Sequence, residues 1–336
     1  MNLTRRQLLT LLTAGSAAAV ASCAVESTPS EPAHPATTPT PQQPHPGPGA
    51  GPLRSPLSAD ASRWRPAPGE VSPEIKRTAA AFLETAGNWS DDGTAVDNLV
   101  RAGASPAAAA TASVLQPATA RAGELTVVYP QYGGLARDTA AVIALVGQNL
   151  RTVSGPWIRE LVVDVRLARE PGGNWTVERL VPPTSLGSPL PLTDTAAAVL
   201  ADPKIVLPDP ARSDVRTGRI DTQLLAILHA LSREFTLTVQ VMHTGHIQTV
   251  FPTARVSNHA VGRAVDIREI DGRPVVAPAG DDRPLRLMRR AAELGATEVG
   301  GPVDLNGVRK GFFSDRVHHD HIHLGITPGD PPAHLR

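Results

Sequence analysis

Between Ala24 and Pro68 the chain carries twelve of its 33 prolines, in runs such as "PHPGPGAGP" from Pro44. Proline fixes φ and removes a backbone donor, and the Ser, Thr, Gly and Gln around it offer little to bury. Residues 23–68 are therefore expected to form an extended tether, with His34 and His45 as solvated spacers. Any hydrophobic core has to come from residue 70 onward.

The stretch before the tether reads as an export signal, residues 1–22. Arg5 and Arg6 form its charged region and Leu8 to Val20 its apolar core. That core is 13 residues long, short of the roughly 20 that a spanning helix needs. Thr4-Arg5-Arg6-Gln7-Leu8-Leu9 resembles a twin-arginine signal, and Val20-Ala21-Ser22-Cys23 resembles a bacterial lipobox. Cys23 is the only cysteine, so no intrachain disulfide can form. It lies where a lipobox places its acylated residue. The expectation is an extracytoplasmic protein, lipid-anchored through Cys23 to the bacterial cell membrane.

Composition excludes more than it assigns. The 32 basic and 32 acidic residues balance, so no strong field points toward nucleic acid. Aromatic residues make up 3%, too few for the stacking platforms that hold single strands. No nucleic-acid partner is expected, and the oligomeric state is left open.

The folded part reads as α+β in two regions. Residues 70–207 are expected to form a small α+β accessory domain. In "SPEIKRTAAAFLETAG", Ser72 is placed as N-cap and Pro73 in the first turn. Ile75, Ala79 and Phe82 share a face there, and Gly87 is a stop. "RELVVDVRLARE", "PGG" and "NWTVERLV" read as a hairpin. No ligand cluster, phosphate loop or nucleophile motif is visible in this region, so it is expected to carry no chemistry. "LPDPARSDVRTGR" marks a boundary near residue 210. In the second region, residues 210–330, "DTQLLAILHALSREF" puts Leu224, Ile227, Leu228, Leu231 and Phe235 on one helical face. His229 beside that stripe reads as a packed residue. "TLTVQVM" reads as a strand and "PLRLMRRAAEL" as a helix ended by Gly295.

Seven of the eleven histidines fall between His243 and His323. In "HIHLGI", alternation sends Ile322, Leu324 and Ile326 to one face and His321, His323 and Gly325 to the other. In "GRAVDI" it puts Asp266 opposite Val265 and Ile267. One strand can offer Asp266, a neighbouring strand His323, and the loop before Gly262 can offer His259. Two imidazoles and a carboxylate suit Zn2+ and leave a fourth tetrahedral position for water.

Ser257-x-His259-x-x-Gly262-x-Ala264-x-Asp266, followed by Asp320-His321-x-His323, resembles the zinc D-alanyl-D-alanine carboxypeptidase and L-alanyl-D-glutamate endopeptidase family. That group also takes in the lysostaphin-like and hedgehog-like folds. The resemblance covers about Asp221 to Thr327. It implies a hedgehog/DD-peptidase-like domain whose small antiparallel sheet carries the zinc site, with His259, Asp266 and His323 as the ligands. It implies a catalytic base at Asp320 or at His321, since family members use either place and both are filled here. His318 and His319 read as groups behind the site or on the surface. His243 and His246 read as either a contact behind the site or structural residues. Where the family carries Ser-Gly-Tyr-Arg, whose arginine grips the substrate carboxylate, this chain has Thr244-Gly245-His246-Ile247. Arg255 or Arg263 could supply the missing cation.

The function this implies is an envelope zinc metallopeptidase acting on peptidoglycan peptides through zinc-activated water. The alternative is a non-catalytic zinc-containing binding module of an envelope lipoprotein. A closed structural zinc site would need a fourth protein ligand, and the lone cysteine sits at the anchor.

Overall fold

The computed structural model describes residues 64–90, 99, 105–276 and 280–334. The signal segment, Cys23 and the tether up to residue 63 lie outside the described residues. Helix α1 spans Pro73–Gly87, with proline in the first turn as its sequence predicts. Ser72 holds the N-cap position but has φ 43° and caps nothing with its side chain. Its Oγ instead accepts a hydrogen bond from Arg316 Nη2 at 2.6 Å. Gly87 is the last helical residue, and packing dictates its identity. A Cβ there would meet the Leu125 side chain at 2.3 Å. The buried stripe of α1 is Ile75, Ala79, Ala80, Leu83 and Ala86, and it includes Lys76.

Four strands follow as an antiparallel meander: β1 (Ala120–Leu135), β2 (Thr139–Thr152), β3 (Gly155–Ala168) and β4 (Thr176–Val181). β3 and β4 form the predicted hairpin, with Leu167 opposite Val177. β2 escapes a periodicity reading because it is covered on both faces, which erases alternation, whereas β1 alternates over residues 123–129 and loses the pattern only beyond them. One face carries Val142, Ala144, Val146, Val163 and Val165 in a core with α1 and helix α2 (Pro106–Thr111). The other face carries Ala141, Ile143, Leu145 and Val162, packed with Val241 and Ile247 from the second region.

The rest of the chain runs α3 (Asp194–Ala201), β5 (Ile205–Val206), α4 (Asp209–Arg216), α5 (Thr222–Leu231), β6 (Leu237–Val241), β7 (Ala264–Ile270), β8 (Arg273–Pro274), α6 (Arg283–Glu293), β9 (Glu298–Gly300), β10 (Phe312–Phe313) and β11 (Ile322–Gly325). The strands make one sheet in the order β10-β9-β11-β7-β6-β5, with β8 on β7. The fold class is α+β. The sheet is antiparallel through β9, β11, β7 and β6, which is the part that carries the histidines. Both edges depart from the antiparallel expectation, because β5 pairs with β6 and β10 with β9 in parallel. Helices α4 and α5 intervene between β5 and β6, giving the crossover that a parallel pair requires.

Helix α5 starts at Asp221, whose Oδ1 accepts from Gln223 N and Leu224 N at 2.8 and 3.2 Å. Leu224, Ile227, Leu228 and Leu231 enter the core as their spacing predicts. Phe235 joins them from beyond the helix end. Gly295 follows α6 with φ 105°.

The boundary expected at 207–210 is not where the cores divide. Ala196, Val199, Ile205 and Leu207 pack with α5 and the second sheet. The largely exposed stretch 182–193 has neither helix nor strand. Both sheets belong to one compact unit. Gln240 on β6 clasps them by donating from Nε2 to Tyr129 O and Ile143 O at 2.9 and 3.0 Å. Among the described residues no helix is long and apolar enough to cross a membrane.

Candidate metal centre

His259 opens a 3₁₀ turn, His259–Val261, that Gly262 closes at φ 72°. A Cβ on Gly262 would meet Arg219 O at 2.5 Å, so both the backbone conformation and the space require glycine. Gly262 O accepts from Asp221 N at 2.9 Å, which ties this turn to the start of α5. The chain then enters β7, which carries Asp266. In the antiparallel pairing of β7 and β11, His323 stands opposite Asp266 and Ile322 opposite Ile267. Directly opposed residues share a face, so Asp266 and His323 point together while Ile322 and Leu324 enter the core.

Three donor atoms converge. His259 Nε2 lies 3.1 Å from Asp266 Oδ1 and 3.2 Å from His323 Nδ1. His323 Nδ1 lies 3.1 Å from Asp266 Oδ1. The edges of a tetrahedron around an ion with ligands at about 2.0 Å measure roughly 3.3 Å, so the triangle fits a zinc-sized cation. The donor chemistry fits as well. His259 Nδ1 faces Met242 O, which fixes the proton there and leaves Nε2 as a lone pair. His323 offers Nδ1, with its Nε2 3.6 Å from Glu298 Oε2, a carboxylate behind an imidazole as metal-binding histidines commonly have. Glu298 is itself held by Asn258 Nδ2 at 2.9 Å and Thr327 Oγ1 at 2.9 Å.

The charges agree with this arrangement. Burial alone would raise the Asp266 carboxyl, but His259 and His321 hold it well below the usual carboxylate range. Burial lowers the His323 imidazole, yet Asp266 and Glu298 outweigh it and push it up to about 9. A proton on His323 therefore stands where a cation would sit.

His246, His259 and Asp266 form a group that could hold a metal ion, with ligand atoms within 4.8 Å of one another. Gly245, at φ 91°, brings His246 in, since a Cβ there would strike Val162 O at 2.2 Å. Asp214 on α4 anchors the same loop, accepting from His243 N and Thr244 N at 2.9 Å each. The His246 ring stacks on His259 at 3.7 Å and 19°, so its lone pair runs alongside that of His259 and does not converge with it. Its Nε2 is 3.6 Å from Asp266 Oδ2, the oxygen turned away from the triangle. Burial and then His259 lower this imidazole well below its ordinary value, so it is neutral. His243 sits one layer back, with Nδ1 2.9 Å from His259 O.

Asp320 and His321 differ in what they face. The strand entry is irregular, as use of Asp320 would require: residues 314–321 precede β11 without regular structure. The carboxylate nevertheless turns away from the cleft. Its Oδ1 takes His321 Nδ1 at 2.6 Å, and its Oδ2 takes Tyr132 N at 3.1 Å and Lys76 Nζ at 2.5 Å. Burial would raise Asp320, but Lys76 and His321 keep it below its ordinary value. His321 presents Nε2 to the site, 3.8 Å from Asp266 Oδ1.

Besides Tyr132, two side chains of the 70–207 region, from which no chemistry is expected, reach this centre. Lys76, fully buried, lies between Asp320 and Glu70 and meets Tyr129 Oη at 3.2 Å. Gln131 Nε2 donates to Asp266 Oδ2 at 2.6 Å. For Lys76 a signal existed: it lies three, four and seven residues before Ala79, Ala80 and Leu83, on an apolar stripe where lysine is out of place. For Gln131, inside an apolar strand, the signal was weaker.

The donor triangle opens into a cleft of about 160 Å³. His246, His259, Asp266, His321 and His323 line it, whereas Asp320 does not. Tyr132, Gly133 and Gly134 of β1 form one wall. Arg255 lines it and Arg263 does not. His318 also reaches the cleft, its Nδ1 2.9 Å from Asp315 Oδ1. His229 is remote, on α5. Compared with known proteins, the chain matches no family model, no curated protein and no solved structure.

Proposed function

We propose that this chain is a cell-envelope zinc metallopeptidase that hydrolyses an amide bond in peptidoglycan-type peptides. The observation that carries the reading is the triangle of His259 Nε2, Asp266 Oδ1 and His323 Nδ1, with edges of 3.1 to 3.2 Å. When bound there, Zn2+ would polarise the scissile carbonyl and make water acidic near neutral pH. His321 is the general base. Asp320 accepts from its Nδ1, which leaves Nε2 to take the proton of the attacking water and return it to the leaving amine. Asp320 is thus the group that orients the base, and Lys76 and Tyr132 N hold it in turn. Arg255 in the cleft offers a cation for a peptide carboxylate, a role that Thr244-Gly245-His246-Ile247 cannot fill. The direct test is digestion of purified muropeptides by the zinc-loaded full chain, beside a chelated control. Zinc-loaded protein that cleaves none of them would leave the non-catalytic binding module as the better reading.

One observation favours a second reading, a closed structural zinc site: His246 stands close enough to be counted with His259 and Asp266. The stacked rings oppose it, because a fourth ligand must aim at the ion from its own direction. His246→Ala separates the two. An open site keeps its zinc, whereas a closed one loses it as completely as on loss of His259.

The envelope location rests on Arg5, Arg6 and Cys23. Cys23→Ser should release the protein from the membrane fraction, and unchanged membrane association would remove the anchor from this proposal.

A further inference from the structure

We infer that Gln131, on the N-terminal sheet, is a positioning residue of the metal centre: it occupies Asp266 Oδ2 so that only Oδ1 is offered to the ion. The inference rests on the reading of His259, Asp266 and His323 as the ligands. A free carboxylate can take a metal through one oxygen or through both. Taking both would raise the coordination number and close the position that faces the cleft. Here the two oxygens are divided between partners. Oδ1 stands 3.1 Å from each ligand nitrogen, and Oδ2 accepts from Gln131 Nε2 at 2.6 Å.

Packing gives no reason for a glutamine at this position. Gln131 is fully buried, and its cross-strand partner Ile143 belongs to the apolar layer between the sheets. Its Oε1 has no hydrogen-bond partner among the described residues, a destabilising feature that an apolar side chain would avoid. The amide cannot turn over to satisfy that oxygen, because two oxygens would then face each other. Gln240 is the informative contrast. It too is fully buried with an unpartnered Oε1, but its Nε2 bridges two backbone carbonyls and ties the sheets together. Gln131 spends its donor on Asp266, 135 residues away in the chain.

The test compares the full chain with Gln131→Met and Gln240→Met, each keeping length and removing the donor. Metal-free protein is titrated with Zn2+ against a chromophoric chelator and with Co2+ for its visible absorption, and the metal-free melting temperature is recorded. Gln131→Met should bind Zn2+ about 10- to 100-fold more weakly. Its Co2+ bands should lose intensity as four-coordination gives way to a higher number, a spectral change that a merely structural role would not produce. Gln240→Met should melt lower and keep wild-type metal affinity. Wild-type affinity and Co2+ spectrum in Gln131→Met would overturn the inference, as would a lowered melting temperature with unchanged metal binding. If Gln131→Met fails to fold, Gln131→Ala is judged on the same readouts. A wild-type chain that binds neither ion overturns the metal reading itself and this inference with it, an outcome distinct from equal binding by wild type and variant.

Discussion

His323 stands opposite Asp266 across β11 and β7, and its Nδ1 comes within 3.1 Å of Asp266 Oδ1. Sheet register alone delivers two of the three proposed ligands, and the Gly262 turn delivers His259. His323→Ala and His259→Ala should each abolish stoichiometric zinc, measured by elemental analysis after gel filtration. Full occupancy in either variant would rule out this coordination.

His321 and its partner should separate binding from turnover. His321→Ala is expected to keep zinc and lose about 10²- to 10⁴-fold in turnover, the usual reach of a general base. Asp320→Ala should do something different. It leaves the buried Lys76 with Glu70 and Tyr129 Oη only and takes the acceptor from Tyr132 N, and a buried donor left unsatisfied costs about 1–3 kcal/mol. A thermal melt of Asp320→Ala matching the wild type would show that the Lys76 contact contributes nothing.

Metal affinity should depend on pH in a definite direction. In the metal-free protein His323 titrates near 9, above its ordinary value of 6.5, because Asp266 and Glu298 favour its charged form against burial. At pH 7 the ion must displace that proton. Zinc affinity should therefore rise about tenfold per pH unit between pH 7 and 9 and flatten above. The same shift stabilises the metal-free fold fully below pH 6.5, and that stability is lost as pH rises through 9. Competition titrations at three pH values that give one constant would contradict the assignment.

Cleavage by a protease should avoid residues 205–215. Ile205, Leu207, Ala211 and Val215 are buried in the second core, and Asp214 is bonded to the His243 loop. The exposed stretch 182–193 is the better substrate. A fragment of residues 205–336 should bind zinc poorly, since it loses Gln131, Lys76 and the apolar layer over Val241 and Ile247. Nicking confined to 205–215, or a fragment with full zinc affinity, would restore two independent domains.

What could be read from the sequence was local. His259, Asp266 and His323 could be picked out because strand alternation and the Gly262 turn operate within a few residues of each. The helices α1, α5 and α6 were legible for the same reason. The partners of Gln131 and Lys76 were not, because a contact between β1 or α1 and the far end of the chain leaves no periodic trace, even though the lysine itself stands out on the apolar stripe of α1. The choice between Asp320 and His321 depended on such a contact, since Lys76 decides which way Asp320 turns. β2 was obscured by burial on both faces, which gives its run "AAVIALV" no preferred side.

The distance along the chain between Lys76 and Asp320 also has a consequence in time. A ribosome releases Lys76 long before Asp320, so the contact between them cannot form until the stretch before β11 has emerged and reached helix α1. An incomplete or truncated chain would carry histidines without an assembled site, and hydrolysis would begin only once the two ends of the folded part have met. If the chain is the wall hydrolase proposed above, unfinished copies would be harmless.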